Sequence, residues 1–299
     1  MPVDVTYVLD GGYVVPSVLS AWSLLVARSG ETVLRFLLTE DVPAMAPLAD
    51  RLRRRFPQAR IEVRHEAGLD HGLPVRGHVS AAALARLRLP ALLEGPTLYL
   101  DGDTMVCRDV GAVFAAPRDG LPVAACRDVG IQKALWHRRR GGWMTRRSRR
   151  HLRDLDRIAH LVDVESYVNS GVMLFDLPRI RALGLDTPMG DIAGAVAMRQ
   201  ALDLRFNDQN WLNHVFRGQI ALLDPAWNAL WGNLITGRAP FPPEARAAYA
   251  GSRDDPGIVH FTGRQRPWEM RHIWAHPRRR PWLGRYKAMQ ARAEADLWG

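Results

Sequence analysis

The segment TLYLDGDTMV at residues 97–106 places two carboxylates directly after a short apolar run. Side chains two positions apart on an extended chain share one face, so Asp101 and Asp103 can act together. Carboxylate oxygens are the ligands that hard divalent cations prefer, and open α/β sheets bind ligands at the carboxyl ends of their strands. The segment therefore indicates a metal-binding pair. The alternative is a turn in which one aspartate caps and the other is solvated, because Asp-Gly is a strong turn dipeptide.

The same two aspartates also fit a second chemistry, that of a haloacid-dehalogenase-type phosphatase with an aspartyl nucleophile and an acid/base partner. That chemistry needs a lysine to balance phosphoryl charge and a late acidic pair for magnesium. The chain has only Lys133 and Lys287, and Asp254 with Asp255 could imitate the acidic pair. Neither lysine stands at a predicted helix start, and one hundred residues precede Asp101, so the phosphatase is the weaker interpretation.

The elements that must position Asp101 alternate between strand and helix periodicity. Strands are predicted at residues 3–9, 32–38, 60–65 and 97–100, and helices over 16–28, 44–55 and 80–93, the last with Ser80 as N-cap. This βαβ pattern places Asp101 at the carboxyl end of a fourth strand. A composition with 47% hydrophobic and 24% charged residues favours a folded domain over a disordered chain.

The pattern breaks down between residues 130 and 157. Nine arginines fall between Arg138 and Arg157 without a clear apolar stripe, which indicates an insertion or a lid. Regular elements are predicted beyond it: strands at 171–175, 219–223 and 257–261, helices at 191–201 and 209–216, and a final amphipathic helix at 282–297.

Six further segments, taken in chain order, resemble those of glycosyltransferase family 8. They are VLDGGYVVPSVLSAWSLL at 8–25, HVSAAALARLRLPALL at 78–93, YVNSGVMLFDL at 167–177, FNDQNWLNHVF at 206–216, LLDPAWNAL at 222–230 and IVHFTGRQRPW at 258–268. The family comprises retaining nucleotide-sugar transferases, among them bacterial lipopolysaccharide galactosyl- and glucosyltransferases and the glycogenins. The resemblance spans residues 3 to about 285.

The resemblance implies a GT-A type nucleotide-diphospho-sugar transferase fold, an α/β fold with a Rossmann-like mixed sheet flanked by helices. It implies a single domain with a basic insertion and a C-terminal helical tail. We expect a catalytic domain over residues 1–270, with a donor-binding half over about 1–128 and an acceptor-side half over about 129–270. A basic and aromatic helical tail is expected over 271–299.

The resemblance also implies that Asp101, Asp103 and His260 hold a divalent ion against the diphosphate of a UDP-sugar. From residue type alone, His260 between two apolar residues would be a hydrogen-bonded core histidine. A metal ion stabilises the charge of a departing diphosphate as a Lewis acid. Oxygen ligands with one imidazole suit Mn²⁺, with Mg²⁺ as the second candidate. The expected activity is transfer of a hexose, galactose or glucose, to a glycan or to a lipid-linked surface-polysaccharide acceptor.

Further donor contacts follow from the resemblance. The matched positions are Val8, Leu9 and Asp10 for the uracil, Tyr13 for the nucleoside, and Arg86, Gly102, Ser170, Gly263 and Arg266 for the diphosphate and sugar. Arg266 stands where relatives carry lysine, and a guanidinium also binds phosphate. Gly11 and Gly12 stand where relatives carry polar residues. For Arg86 the alternative is a solvated arginine on a helix surface.

Contacts to the transferred sugar are expected from Asp128, Asn169, Asp208 and Gln209, because carboxylates and amides suit hydroxyl groups. A retaining reaction passes through an oxocarbenium-like transition state and needs a polar group on the β-face of the anomeric carbon. By the resemblance, Gln209 lies nearest that face, and an amide is a poor nucleophile. Same-face attack by the acceptor is therefore favoured over a covalent glycosyl-enzyme, and both mechanisms stay open.

The net charge of +10 points to an anionic partner. Arginines are clustered at 138–157 and at 278–289, where Trp143, Trp282 and Tyr286 accompany them. Three interpretations compete: a solvated surface, docking on an anionic membrane or a phosphorylated lipid-linked glycan, and nucleic-acid binding. Nucleic acid is the weakest because no recognised module accompanies the charge.

Two further expectations concern location and catalysis. The N-terminus has no basic segment before an apolar one, and no apolar stretch reaches the ~20 residues of a spanning helix. We therefore expect a cytoplasmic protein, and the resemblance implies a bacterial one, with peripheral binding to the inner face of the plasma membrane as the docking hypothesis. A non-catalytic basic protein on the same fold is disfavoured, because such a protein would be free to lose Asp101, Asp103 and His260.

Overall fold

The structure is a computed structural model that describes residues 2–66, 81–141, 144–204, 208–230, 243–262, 266–270 and 280–299. Its strands are β1 (Val3–Leu9), β2 (Thr32–Leu38), β3 (Ala59–His65), β4 (Thr97–Leu100), β5 (Thr104–Val106), β6 (Val123–Arg127), β7 (Val168–Phe175), β8 (Ile220–Leu222), β9 (Ala229–Leu230) and β10 (Ile258–His260). Its α-helices are α1 (Val14–Ala27), α2 (Met45–Arg55), α3 (Ala81–Ala85), α4 (Leu89–Leu92), α5 (Gly111–Ala115), α6 (Val129–Arg140), α7 (Arg146–Ile158), α8 (Leu177–Ala182), α9 (Asp186–Met189), α10 (Ile192–Ala201), α11 (Asp208–Val215), α12 (Pro243–Asp254) and α13 (Arg280–Trp298). Single 3₁₀ turns cover Gly11–Tyr13, Arg86–Arg88 and Pro225–Asn228.

The main sheet has seven strands in the order β3-β2-β1-β4-β7-β6-β8. Strands β1 to β4 run parallel, while β7 lies antiparallel between β4 and β6. The first residues of β7 therefore meet the last residues of β4, and the Asp101 N–H donates to the Gly171 carbonyl at 2.8 Å. The α/β fold with a mixed, Rossmann-like sheet that the sequence predicted is confirmed.

A second sheet of three strands, β5-β10-β9, brings the end of the chain back to the Asp-x-Asp loop. Strand β10 pairs antiparallel with β5, so that His260 lies opposite Thr104. The N–H of Phe261 donates to the carbonyl of Asp103 at 2.9 Å. Backbone hydrogen bonds thus bring His260 next to Asp103, although 157 positions separate them in the sequence.

Serine hydroxyls on α1 form hydrogen bonds that hold the segment following Asp101 and Asp103 in place. Ser20 Oγ lies 2.9 Å from Tyr7 Oη and 2.6 Å from Thr104 Oγ1, and Thr104 Oγ1 in turn donates to the Asp101 carbonyl at 2.9 Å. The Val106 N–H donates to Ser23 Oγ at 2.9 Å. Buried hydroxyls need such partners, so the serines that interrupt this apolar helix have a structural explanation.

The final helix α13 is part of the main core. Its buried residues join the cluster around α1 and β2, and Trp22 donates from Nε1 to Asp296 Oδ2 at 2.9 Å. Trp282 and Tyr286 are 7% and 1% exposed. The membrane-docking interpretation of the 278–289 cluster would place these aromatic rings at the membrane surface, and for both residues that placement is wrong, because they are enclosed by protein. Trp143, the third such residue, lies outside the described residues.

The arginine-rich stretch at 130–157 is also more regular than the sequence predicted. It forms α6 and α7, which pack together through a separate apolar cluster. Asp128 caps α6, Gly141 ends it in the left-handed region at φ 65°, and Thr145 caps α7. The interpretation as a region without an apolar stripe is wrong, because each helix contributes only a narrow stripe that the surrounding arginines obscured.

The predicted helix over residues 80–93 is divided into α3, a 3₁₀ turn and α4. Pro90 has no N–H to donate to the carbonyl of Arg86, which explains a break at this point. Ser80, the predicted cap, lies outside the described residues. In the described part of the chain, no helix is both long enough and apolar enough to cross a membrane.

We predict that Ser20→Ala lowers the free energy of unfolding by about 1–3 kcal/mol, because it leaves the buried Tyr7 hydroxyl without a partner. Urea denaturation followed by circular dichroism measures the change. Val15→Ala on the same helix is the control, since Val15 is 45% exposed and its loss should stay within about 0.5 kcal/mol. Equal stability of Ser20→Ala and the wild type would contradict the structural role of the hydroxyl.

Candidate active site

Three side chains predicted as metal ligands converge at the carboxyl end of β4. One ligand atom from each of Asp101, Asp103 and His260 lies within 4.8 Å of the others. His260 Nε2 is 3.1 Å from Asp103 Oδ1 and 3.6 Å from Asp101 Oδ2. Two carboxylates and one imidazole match the donor set that manganese or magnesium accepts. The residues present therefore fit a divalent cation.

The backbone of β7 leaves this space open. A Cβ on Gly171 would lie 2.1 Å from His260 Cε1 and 2.6 Å from Asp101 Oδ2, closer than atoms can approach. Glycine is thus the residue that lets the sheet backbone touch both ligands. A similar restriction applies to Gly102, where a Cβ would lie 2.2 Å from Ser17 Oγ on α1.

The electrostatics of His260 reflect its two acidic neighbours. The ring is 2% exposed, and burial by itself lowers the pKa of an imidazole. The carboxylates of Asp103 and Asp101 outweigh that effect and raise the pKa of His260 above its usual value. The ring therefore lies in a strongly negative environment, which is the condition that also attracts a metal cation.

One oxygen of Asp101 is already engaged. Arg86 Nη2 lies 2.9 Å from Asp101 Oδ1, and the Tyr99 hydroxyl donates to the same oxygen at 2.7 Å. The Arg86 guanidinium stacks over the Tyr99 ring at 4.3 Å. These contacts turn the free Oδ2 of Asp101 towards His260.

Arg86 is buried, so the alternative of a solvated surface arginine is wrong. It is 5% exposed and donates to the carbonyls of Ser170 at 2.8 Å and Ala83 at 3.0 Å. Burial by itself lowers its pKa, but the neighbouring Asp101 carboxylate raises the pKa above the usual value. The Arg86 guanidinium thus pairs with the carboxylates of Asp101 and Asp208. Its contact with a donor stays a prediction.

The four residues predicted to face the sugar form one buried hydrogen-bonded group. Gln209 Nε2 donates to Asp128 Oδ2 at 3.2 Å, and Asn169 Nδ2 donates to Gln209 Oε1 at 3.0 Å. Asp208 Oδ2 accepts from the Ser170 hydroxyl at 3.1 Å and lies 3.5 Å from Arg86 Nε. Carboxylates and amides are thus brought together beside the three predicted metal ligands.

Helix α11 is held in place by Asn213. Its Oδ1 accepts from the Val168 N–H at 2.8 Å, and its Nδ2 donates to the Val168 carbonyl at 3.0 Å and to the Gln209 carbonyl at 2.8 Å. The Asn213 side chain thus bonds both backbone groups of Val168, as a neighbouring strand would do at the start of β7. Asp208 and Gln209, at the beginning of α11, consequently lie next to residues 169 and 170.

The predicted uracil and nucleoside residues lie around the end of β1. Asp10 Oδ1 accepts from the Gly12 N–H at 3.0 Å and so caps the following turn, while Val8 and Leu9 are buried. Burial and the Asp103 carboxylate raise the pKa of Tyr13 to about 12, so its hydroxyl stays protonated at neutral pH. These residues form one wall beside the Asp-x-Asp loop.

The predicted diphosphate residues of the last motif are partly described. The Arg266 guanidinium lies 5.7 Å from the centre of the Tyr13 ring and 3.0 Å from Glu269 Oε1, and it is well exposed. Trp268 packs edge-on against Tyr13 with ring centres 6.2 Å apart. Gly263 lies outside the described residues. Arg266 is thus a partly exposed cation, paired with Glu269, beside the predicted nucleoside wall.

Three residues near the site were not singled out from the sequence. Tyr99 orients Asp101, Tyr167 lies 3.4 Å from Gln209 Nε2, and Asn228 Oδ1 lies 3.0 Å from His260 Nδ1. All three stand inside motifs that the sequence analysis quoted. Their residue types alone carried no sign of their partners, because each contact joins segments that are distant in the sequence or depends on the pleat of a strand.

Comparisons with known proteins agree with this geometry. The sequence profile described as Glycosyl transferase family 8 matches residues 4–271. General stress protein A of Bacillus subtilis (strain 168) is 26% identical over 195 residues, which cover 64% of this chain and 60% of that protein. The match thus spans about three fifths of the length of this curated relative.

Solved structures of glycosyltransferases share the fold. The galactosyltransferase LgtC, in complex with donor and acceptor sugar analogues, has a TM-score of 0.71 at 20% identity over 97% of this chain and 95% of its own. The bifunctional glycosyltransferase WbbM gives 0.69 at 18% identity over 97% of this chain and 52% of its own. Mouse xyloside xylosyltransferase 1 gives 0.55 at 15% identity, covering 88% and 98%. At these identities the likeness concerns the fold.

The profile match includes the Asp-x-Asp segment, both sheets and His260. It decides between the two chemistries considered for Asp101 and Asp103, in favour of the transferase and against the phosphatase. With a match over most of its length, this chain belongs to glycosyltransferase family 8.

Proposed function

We propose that this protein is a metal-dependent retaining hexosyltransferase. It moves galactose or glucose from a UDP-sugar to a glycan or a lipid-linked surface-polysaccharide acceptor. The observation that carries the proposal is the convergence of Asp101, Asp103 and His260 within 4.8 Å, directly beside the buried Gln209 group. Family membership and the sugar-bound state of LgtC support it.

The residues assigned to metal binding assist the departure of the nucleoside diphosphate from the sugar. When bound, a divalent cation supplies Lewis-acid stabilisation of the charge that develops on the diphosphate. Arg86 and Tyr99 hold one oxygen of Asp101, so its other oxygen is preorganised for that cation. The exposed Arg266 adds a further positive charge at the rim, where it can contact phosphate. The chain thus provides the groups that a departing nucleoside diphosphate requires.

The sugar-side residues favour same-face attack by the acceptor. Gln209 is held at both ends of its amide, with Oε1 accepting from Asn169 and Nε2 donating to Asp128. An amide so constrained is a poor nucleophile and a good dipole. The carboxylates of Asp128 and Asp208 lie in the same group and favour positive charge on the sugar ring. We therefore assign Gln209 and Asp208 to stabilisation of an oxocarbenium-like transition state.

The acceptor side carries a strongly basic helix. On α7, four arginines recur at helical spacing along one face, all exposed: Arg146, Arg149, Arg150 and Arg153. None of these four has an acidic partner among the described residues, whereas Arg138 and Arg157 form ion pairs with aspartates. The opposite face of α7 packs on α6, whose first residue follows Asp128. We assign the four arginines to docking on an anionic membrane surface.

The metal requirement is testable by calorimetry with UDP. We expect binding in the presence of Mn²⁺, no binding in EDTA, and a loss of at least about 10-fold in affinity for Asp103→Asn, because one of three ligands is removed. Asp254→Asn is the matched control: Asp254 is exposed and belongs to the acidic pair of the phosphatase interpretation. Metal-independent binding of UDP, or a defect in the control of equal size, would refute the proposed donor site.

Gln209 is testable by kinetics and by the product. Gln209→Ala should lower kcat by about 10²–10³-fold with little change in KM for the donor, because the lost dipole acts in the transition state. Proton NMR of the wild-type product should show the anomeric configuration of the donor. An inverted product, or a variant that changes KM alone, would exclude the assigned role.

Membrane docking is testable by flotation with vesicles of anionic or neutral lipid. The wild type should float with anionic vesicles only, and replacing Arg146, Arg149, Arg150 and Arg153 by Gln should abolish flotation, since each surface arginine contributes about 1 kcal/mol. The control replaces four arginines that already have ion-pair partners, so that net charge falls equally: Arg53, Arg60, Arg64 and Arg108.

Three outcomes would overturn this assignment. The wild type could fail to bind either kind of vesicle, which excludes membrane docking. The control could lose flotation as completely as the α7 variant, which would show a dependence on net charge alone. Duplex DNA or RNA could displace the protein from vesicles at equal ionic strength, which would favour the nucleic-acid interpretation.

A further inference from the structure

We propose that Asn228 is a positioning residue that fixes the His260 ring with Nε2, the nitrogen available to a cation, towards Asp101 and Asp103. It does so as the last member of a relay of buried amides that begins at the sugar side of the site. The inference rests on the metal site of the proposed function. It adds a requirement for a residue that touches neither the cation nor the sugar donor.

The relay consists of side chains with one consistent direction of hydrogen donation. Gln209 Nε2 donates to Asp128 Oδ2, Asn169 Nδ2 donates to Gln209 Oε1, and Asn228 Nδ2 donates to Asn169 Oδ1, at 3.2, 3.0 and 2.9 Å. Every member is at most 8% exposed. Water therefore does not compete for these bonds, and each amide must find its partners within the group.

The direction is determined independently at two points. Asp128 is a carboxylate that already accepts from two backbone N–H groups of α6, and as an ion it only accepts. Gln209 must therefore present its NH₂ to Asp128. At Asn169, the backbone N–H of Gly171 donates to Oδ1 at 3.1 Å, and a backbone N–H only donates. The amide of Asn169 must consequently present its NH₂ to Gln209.

These two constraints determine the orientation of Asn228. Because Asn169 Oδ1 is an acceptor, Asn228 presents Nδ2 to it and Oδ1 to His260 Nδ1, at 3.0 Å. An amide oxygen only accepts, so Nδ1 of the ring must carry a proton. Nε2, 3.1 Å from Asp103 Oδ1, is then the ring nitrogen that faces the two carboxylates and the one that a cation bound between them would contact. A neutral imidazole binds a metal through such a nitrogen.

The backbone around Asn228 is built to hold this side chain. Asp224 Oδ1 caps the 3₁₀ turn that ends at Asn228 by accepting from the Ala226 N–H at 2.8 Å. Strand β9 follows and pairs with β10 so that Leu230 lies opposite His260. Trp227 packs against Gly257, where a Cβ would lie 2.5 Å from the indole ring. Asn228 directly precedes β9, and the pairing of β9 with β10 thus fixes its backbone next to the strand that carries His260.

The test compares Asn228→Leu with Asn228→Asp in the full-length protein. Mn²⁺ affinity without nucleotide, measured by the electron paramagnetic resonance signal of free Mn²⁺, is the main measurement. Asn228→Leu should weaken Mn²⁺ binding by about 10–100-fold, because it removes the acceptor that orients the ligand. Asn228→Asp retains an acceptor for the Nδ1 proton, so its Mn²⁺ affinity should stay within a few-fold of the wild type.

A second effect separates the two ends of the relay. Asn228→Asp can no longer donate to Asn169 Oδ1, so turnover with a saturating donor and metal should fall although Mn²⁺ affinity is kept. Thr6→Val is the control for loss of a buried polar group, since the Thr6 hydroxyl pairs at 2.9 Å with that of Thr97, at the end of β4 away from the site. Its Mn²⁺ affinity should match the wild type.

The outcomes are distinguishable from failure of the proposed function. If the wild type binds no Mn²⁺, both the metal site and the relay are overturned. If the wild type binds Mn²⁺ and Asn228→Leu binds it equally, the relay alone is overturned. Equal losses in the Asp and Leu variants would also overturn it, because the acceptor would then not matter.

One measurement needs no variant and covers the case in which Asn228→Leu does not fold. Long-range ¹H–¹⁵N NMR of the wild type loaded with diamagnetic Mg²⁺ reports which ring nitrogen of His260 keeps its proton when the cation is bound. The relay requires a protonated Nδ1 and a bare Nε2. The opposite tautomer would overturn the proposal.

Discussion

Strand β7 enters the main sheet antiparallel between β4 and β6, and the site depends on how closely its first residues approach the end of β4. The Asp101 N–H donates to the Gly171 carbonyl at 2.8 Å, and only a residue without a side chain leaves room for His260 and Asp101 above it. Asn169 and Ser170 directly precede Gly171 on the same strand. A single strand thereby supplies backbone beside the proposed metal ligands and two of the residues proposed to contact the donor.

The second constraint is electrostatic, since several carboxylates gather where little water reaches them. Arg86 is the buried cation that lies among Asp101 and Asp208, and its guanidinium is further fixed by the Tyr99 ring and two carbonyls. A buried charge is tolerated only when paired and hydrogen-bonded. Arg86 compensates negative charge next to Asp101 and Asp208. An excess of negative charge remains next to Asp103 and His260. That excess is the physical reason for assigning a cation there.

The site is held in place by α1 and α13, two helices to which no catalytic or binding residue is assigned. The serines of α1 bind β5 through buried hydroxyl contacts, and α13 closes the far side of α1 through Trp22 and Asp296. The Asp-x-Asp loop is consequently fixed between two elements. Hydroxyl contacts hold it to α1, and its backbone is already hydrogen-bonded to β7. Preorganisation of this kind matters for a site that must stabilise developing charge without rearranging.

The sequence by itself determined the local elements of the parallel half and the residue types of the site. Strands β1, β2 and β4 lie where periodicity predicted them, and Asp101, Asp103 and His260 meet as their motifs implied. Only the tertiary structure decided which groups orient these residues, because hydrogen-bond partners such as Asn228 come from distant segments. It also decided the burial of Tyr286, and the burial of Arg86, for which a solvated surface position was the alternative to a donor contact. Periodicity reports one face of one element, whereas partners and burial depend on how elements from the whole chain are packed together.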